Sequence, residues 1–157
     1  MSELPVIDSF SGPNRFLSNF WPCKKGVKYE GRTYRSSEHA YVAAKTLDEK
    51  LREEVVELVT PRDVKAFGRT ITLREDWEQV KFGEMRKIVH AKFEVDLALI
   101  YALLSTNGHL LVEGNTWHDN IWGNCTCARC ANVLGHNALG VILMETRLNL
   151  LAEGRRI

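Results

Sequence analysis

Arg35-Ser-Ser-Glu-His-Ala-Tyr-Val-Ala-Ala-Lys45 combines a helix start with two chemically opposed side chains. Ser36 makes a good N-cap, because its hydroxyl can accept from an amide of the first turn, and Glu38 stands where a helix favours negative charge. At about 3.6 residues per turn, a helix begun at Ser36 turns Glu38, Tyr41 and Lys45 to one face. Ala40, Tyr41, Ala43 and Ala44 then point inward or toward a cleft. A carboxylate and an amine share that face with an aromatic ring between them, which is the layout of an acid paired with a nucleophile and, on this segment alone, equally that of a solvated amphipathic helix.

Working outward, Val6 to Phe10 reads as a short strand, and Val27 to Tyr34 as a hairpin turning at Glu30-Gly31. Asp48 to Leu58 has the pattern of a charged amphipathic helix. Thr60-Pro61-Arg62-Asp63 opens another, with threonine as cap and proline at the first helical position. Trp77, Val80, Met85, Ile88 and Phe93 recur at helical spacing and read as core. Asp96 caps a helix ending near Gly108, Leu110 to Glu113 reads as a buried strand, and Asn137 caps a final helix running to about Gly154. The expected fold is α+β: a mostly helical single domain, residues 1–157, around a small β-sheet.

The chain has 157 residues, 45% of them hydrophobic. That is enough for one globular domain burying about 70% of its unfolded surface without disulfides. The amino terminus lacks a basic segment followed by an apolar one. The longest apolar run, Leu97 to Leu104, falls well short of the ~20 residues that span a bilayer, so a cytoplasmic protein with no membrane partner is expected. A formal net charge of +1 excludes a global field that would hold the chain along nucleic acid, and any such contact is local. The one basic concentration, Lys24, Lys25, Lys28, Arg32 and Arg35, reads as either a solvated hairpin or a phosphate-facing rim.

Three further stretches mix aromatics with small polar or charged residues, Arg15-Phe-Leu-Ser-Asn-Phe-Trp21, Leu73-Arg-Glu-Asp-Trp77 and His118-Asp-Asn-Ile-Trp-Gly123, and a fourth, Asn137-Ala-Leu-Gly-Val-Ile-Leu-Met-Glu-Thr-Arg147, joins an aliphatic run to polar ends. Together with the opening segment and Gly68-Arg69, in this order, they resemble the NADAR family of YbiA-like N-glycosidases, from about Phe10 to Leu151. The resemblance implies cleavage of an N-glycosidic bond in a nucleotide-like substrate. Its first expected substrate is guanine carrying ADP-ribose in DNA or RNA. The alternative is a ribosylamino-pyrimidine phosphate of riboflavin synthesis. A non-catalytic module that binds ADP-ribose or NAD is the reading of another class.

Cleavage at the sugar C1 passes through an oxocarbenium-like centre, which wants negative charge nearby and a proton for the departing nitrogen. Glu38 and Asp119 are the pair of carboxylates that suits this, since both sit in the resembling motifs and both are flanked by aromatics, whose apolar walls raise the pKa of one acid so that it can donate a proton. Lys45 offers a second route, attack on C1 and a Schiff base with the opened sugar, as the resemblance implies. It reads equally as a phosphate ligand. Phe16, Phe20 and Trp122 give flat faces for a base, while Arg15, Ser18, Asn19, Tyr41, Gly123 and Asn137 complete the expected substrate site. The amino end of the last helix, near Asn137, suits a phosphate. His39 orients Glu38 or satisfies a buried carbonyl. Trp77 and Trp117 read as structural.

The chain departs from the resembling pattern after Trp122-Gly123, where an acidic position and a glycine-rich loop give way to Asn124-Cys-Thr-Cys-Ala-Arg-Cys-Ala131. Glutamines of the central helix are replaced by Val42 and Ala44. Cys125, Cys127 and Cys130 either hold a structural zinc, with Cys23, His118 or His136 as fourth ligand, or remain reduced thiols, or supply a redox or catalytic thiol. The chemistry itself requires no cofactor.

Overall fold

The computed structural model describes residues 2–155. Its strands are β1 (Val6–Ile7), β2 (Val27–Tyr29), β3 (Arg32–Tyr34), β4 (Leu110–Leu111), β5 (Gly114–Asn115) and β6 (Asn124–Cys125). Its α-helices are α1 (Ser37–Ala44), α2 (Glu49–Glu57), α3 (Pro61–Gly68), α4 (Trp77–Lys92), α5 (Leu97–Ser105) and α6 (Ala138–Ala152), and 3-10 turns cover Gly12–Leu17 and Ala128–Cys130. The fold is α+β and mostly helical, as expected. In place of one small sheet, the described residues form three two-stranded pieces, β1 with β4, β2 with β3 and β5 with β6. The chain divides into two compact units, Asn19–Leu97 and a second made of the residues up to Ser18 with those from Ala98 onward.

Local chemistry builds the Asn19–Leu97 unit. Glu30 and Gly31 both adopt positive φ, 49° and 79°, so the two-residue turn has the twist that joins antiparallel β2 and β3. Ser36 Oγ accepts from His39 N at 3.2 Å, Asp48 Oδ1 from Lys50 N at 2.9 Å and Thr60 Oγ1 from Asp63 N at 3.1 Å, which caps α1, α2 and α3 in turn. Helix α1 packs on α2, α3, α4 and β2 and is nearly all buried. Its contact with α3 depends on Gly68, where an added Cβ would lie 2.8 Å from Val42 Cγ2. Of the expected core stripe, Trp77, Met85, Ile88 and Phe93 are buried and Val80 is half-buried.

In the second unit, β1 is shorter than the expected Val6 to Phe10 strand and pairs in parallel with β4, whose Leu111 is fully buried. Helix α6 packs on β4. At Gly140 a Cβ would meet the Leu111 carbonyl oxygen at 2.1 Å, so only glycine allows this approach. Arg147, buried in mid-helix, donates to Thr106 O, Thr106 Oγ1 and His109 O at 2.7, 2.9 and 2.9 Å. It thereby ties α6 to the turn after α5 and satisfies carbonyls that the end of that helix leaves open. Trp117 is 61% exposed, so its expected structural role is corrected: it sits on an exposed loop with no core to enter.

Candidate active site

Helix α1 fixes the acid and the amine. The Glu38 amide donates to Asn19 O at 2.9 Å, joining the first turn of α1 to the Asn19–Phe20 segment, and Asn19 Nδ2 reaches Met85 Sδ at 3.6 Å. Glu38 is 9% exposed, an unusual degree of burial for a carboxylate. At the other end of the helix Lys45 occupies the C-cap position with right-handed helical backbone, keeping it in phase with Glu38. Its carbonyl accepts from Arg74 N at 2.8 Å, and its Nζ lies 4.9 Å from the centre of the Tyr41 ring. Tyr41 in turn packs against buried Trp77 with ring centres 5.5 Å apart. The ring thus holds the lysine stem in place.

Burial lowers the Lys45 pKa from its ordinary 10.5, Glu38 opposes that shift, and Lys65 and Arg69 reinforce it. A partly desolvated amine among cations keeps more of its reactive neutral form near neutrality. Lys65 and Arg69 had not been singled out as site residues from the sequence. They lie one helical turn apart on α3 and at its C-cap, and that i,i+4 spacing is the signal that marks them. Lys65 Nζ stands 5.5 Å from the centre of the Phe20 ring, which is 39% exposed and offers a partly open face.

His39 is fully buried between Ser36 Oγ, 2.7 Å from Nδ1, and Leu58 O, 2.9 Å from Nε2. It satisfies a buried carbonyl, as the sequence allowed, and links α1 to the end of α2. The basic run is partly neutralised, because Arg32 pairs with Glu49 and Glu53.

The remaining expected residues belong to the other unit. Arg15 is exposed, and Phe16 and Ser18 are half-buried, in and just after the first 3-10 turn. Asp119 Oδ1 accepts from Ile121 N at 3.1 Å and Trp122 N at 2.9 Å, which makes it the organiser of the turn that carries Trp122. Gly123 is buried, and a Cβ there would come within 2.1 Å of Glu113 O.

Asn137 corrects the sequence reading. It adopts left-handed backbone with φ 51°, and its side chain does not cap α6. Instead Oδ1 accepts from Glu113 N and Nδ2 donates to Leu111 O, both at 2.9 Å, so the side chain extends the edge of β4. The amides at the start of α6 are also engaged, Asn137 N with Gly123 O, Ala138 N with Ile121 O and Leu139 N with Trp122 O. A phosphate therefore finds no open amides at those positions, because the 121–123 backbone already uses them.

Sequence reading also missed two asparagines that shape this loop. Asn115 accepts from Trp117 N and Asp119 N and donates to Asp119 O, while Asn120 accepts from Cys125 N. Asn124, where an acid was expected, accepts from Gly135 N at 2.8 Å. Near them, donor atoms of His118, Cys125, Cys127 and Cys130 all lie within 4.8 Å of one another, an arrangement that can bind a metal.

A family model for the NADAR domain matches residues 8–151. The chain belongs to the NADAR family. It is 41% identical over 141 residues to the N-glycosidase YbiA of Shigella sonnei, covering 87% of this chain and 82% of that one. It is 34% identical over 137 residues to a riboflavin biosynthesis protein of Vibrio vulnificus, covering 86% of this chain but 35% of the other. Among solved structures, the solution structure of Escherichia coli YbiA is similar with a TM-score of 0.79 at 38% identity, over 98% of this chain and 89% of that one.

Proposed function

We propose that the protein is an N-glycosidase that opens the glycosidic bond of a nucleotide-like substrate, with Glu38 and Lys45 at the reacting sugar. The observation that carries this reading is the Lys45 amine, desolvated, seated over Tyr41 and sharing one face of α1 with a buried carboxylate. As the C1–N bond breaks, its electron pair leaves on the base nitrogen, which takes a proton from Glu38. The neutral Lys45 amine bonds to C1 and passes a proton to the Glu38 carboxylate, the ring opens to an imine as its oxygen takes up the remaining N–H proton, and water returns the free amine and the sugar aldehyde. The relatives named N-glycosidases support this reaction class.

The favoured substrate is guanine bearing ADP-ribose in nucleic acid. Lys65 and Arg69 supply positive charge for the diphosphate, and Phe20 offers a partly exposed ring. A second reading, a ribosylamino-pyrimidine phosphate, is favoured by the relative named for riboflavin biosynthesis. A module that only binds ADP-ribose would have no use for a desolvated amine beside a buried acid. Asp119 contributes by ordering the Trp122 turn, and the protein acts in the cytoplasm as a single functional NADAR domain; the chemistry requires no cofactor.

The test is to incubate the protein with an oligonucleotide carrying ADP-ribosylated guanine and, separately, with a ribosylamino-pyrimidine phosphate, following base and sugar by mass spectrometry. Release from the oligonucleotide that is lost in Glu38→Gln and Lys45→Arg is the expected result. Release from the small nucleotide alone selects the second reading. Binding of ADP-ribose without turnover of either would overturn the enzymatic one.

A further inference from the structure

The segment from Trp117 to Gly135 contains one two-residue strand and a single 3-10 turn, yet it takes a definite path. Its backbone is held by side chains of Asn115, Asp119, Asn120 and Asn124, and three of its thiols converge with one imidazole. Cys125 ends β6, Cys127 precedes the 3-10 turn and Cys130 closes it, with Cys130 N donating to Cys127 O at 3.0 Å. His118 adopts a left-handed φ of 69°, a conformation that costs a histidine about 1 kcal/mol and that persists only where the surroundings favour it. Its ring, though exposed, faces the thiols: Nδ1 stands 3.2 Å from Cys127 Sγ and 3.5 Å from Cys130 Sγ.

Those distances match a tetrahedral centre. With zinc–sulfur bonds of ~2.3 Å and zinc–nitrogen bonds of ~2.0 Å, the sulfur–nitrogen edges are about 3.5 Å and the sulfur–sulfur edges about 3.8 Å. No pair of the four donor atoms is farther apart than 4.8 Å, so small side-chain rotations close the set. Two further contacts suit thiolates: His118 N–H points at Cys125 Sγ at 3.3 Å, and Asn120 Nδ2 lies 3.4 Å from Cys130 Sγ. Amide donors of this kind orient ligands and spread their charge. Cys23, another candidate from the sequence, instead has its buried thiol directed to Trp21 O at 3.5 Å.

We propose that Cys125, Cys127, Cys130 and His118 Nδ1 bind one structural zinc ion that staples the 117–135 loop. The donor set is three soft thiolates and a borderline imidazole, which selects zinc over hard cations. All four positions come from protein, the closed arrangement of a structural rather than a catalytic site. Binding places the hydrogen of the ring on Nε2, so the exposed Arg129 guanidinium, 3.3 Å away, turns outward to solvent when the metal binds. The ion joins the end of β6, the 3-10 turn and the residue before Asp119. It thereby fixes the loop that presents Trp122, in a stretch with little regular secondary structure.

The experiment measures metal in wild-type protein purified without chelator, then in Cys127→Ser, His118→Ala and His118→Cys. One zinc per chain is expected in the wild type and in His118→Cys, which rebuilds a four-thiolate site, with at least tenfold weaker retention in the other two. Exchange with Co2+ should give the intense visible absorption of a tetrahedral thiolate complex, weakened in Cys127→Ser. Wild-type protein that carries less than a tenth of an equivalent and takes up no added Zn2+ would overturn the proposal. So would stoichiometric iron in place of zinc, or full zinc retention in the Cys127→Ser and His118→Ala variants. These readouts are independent of glycosidase turnover, so the site stands or falls apart from the reaction.

Discussion

Lys45 carries an electrostatic signature that mutagenesis can read. Burial and the neighbouring Lys65 and Arg69 penalise its ammonium form, so its pKa falls below 10.5, and activity that needs the neutral amine rises with pH along a limb below that value. Removing one cation relieves part of the penalty. In Arg69→Gln the limb of the kcat/KM profile should move to higher pH, and an unmoved limb would mean that the charge of Arg69 does not act on Lys45. At Asp119 the opposite logic applies. Asn keeps an oxygen for the Ile121 and Trp122 amides, so Asp119→Asn should retain turnover within about fivefold if the residue only orders its turn, since a kept hydrogen bond changes binding by about 1 kcal/mol or less. A loss of a hundredfold or more would give its charge a part in the chemistry. Residues such as Ser36 and Thr60 were legible in the sequence because a cap is decided within one turn. Asn137 was not, because its partners at Leu111 and Glu113 lie far back in the chain, and a local reading sees only an asparagine before a helix.

Helices α1 and α3 pack against one another with Gly68 against Val42, and this contact adjoins the pair Lys45 and Arg69. Gly68→Ala drives a methyl into Val42 Cγ2 and should lower stability by about 1–3 kcal/mol, as overpacking does. The same change made together with Val42→Ala should cost less than the sum of the two single variants, measured by thermal or urea unfolding. Additive losses would show that the two residues do not compete for space. All six α-helices and the β2–β3 hairpin were anticipated because each carries its own periodicity, cap or turn residues. The two-residue strands β5 and β6 were not, because Gly114–Asn115 and Asn124–Cys125 have no alternating pattern and owe their pairing to contacts across the loop.

For the whole chain, the family assignment was legible because the motifs recur in order along almost its full length, and the match over residues 8–151 spans both compact units. What composition could not supply is the substrate: a net charge of +1 gives no field, and the local cations Lys65 and Arg69 acquire meaning only beside Lys45. No helix among the described residues is long and apolar enough to cross a membrane.

The proposed mechanism rests on a covalent bond between Lys45 and the sugar, which can be caught in the act. Turnover of the substrate in the presence of cyanoborohydride, followed by peptide mass spectrometry, should find the reduced sugar adduct on Lys45 and none in Lys45→Arg. Full turnover with no adduct, together with an active Lys45→Arg, would contradict the assignment of Lys45 as nucleophile.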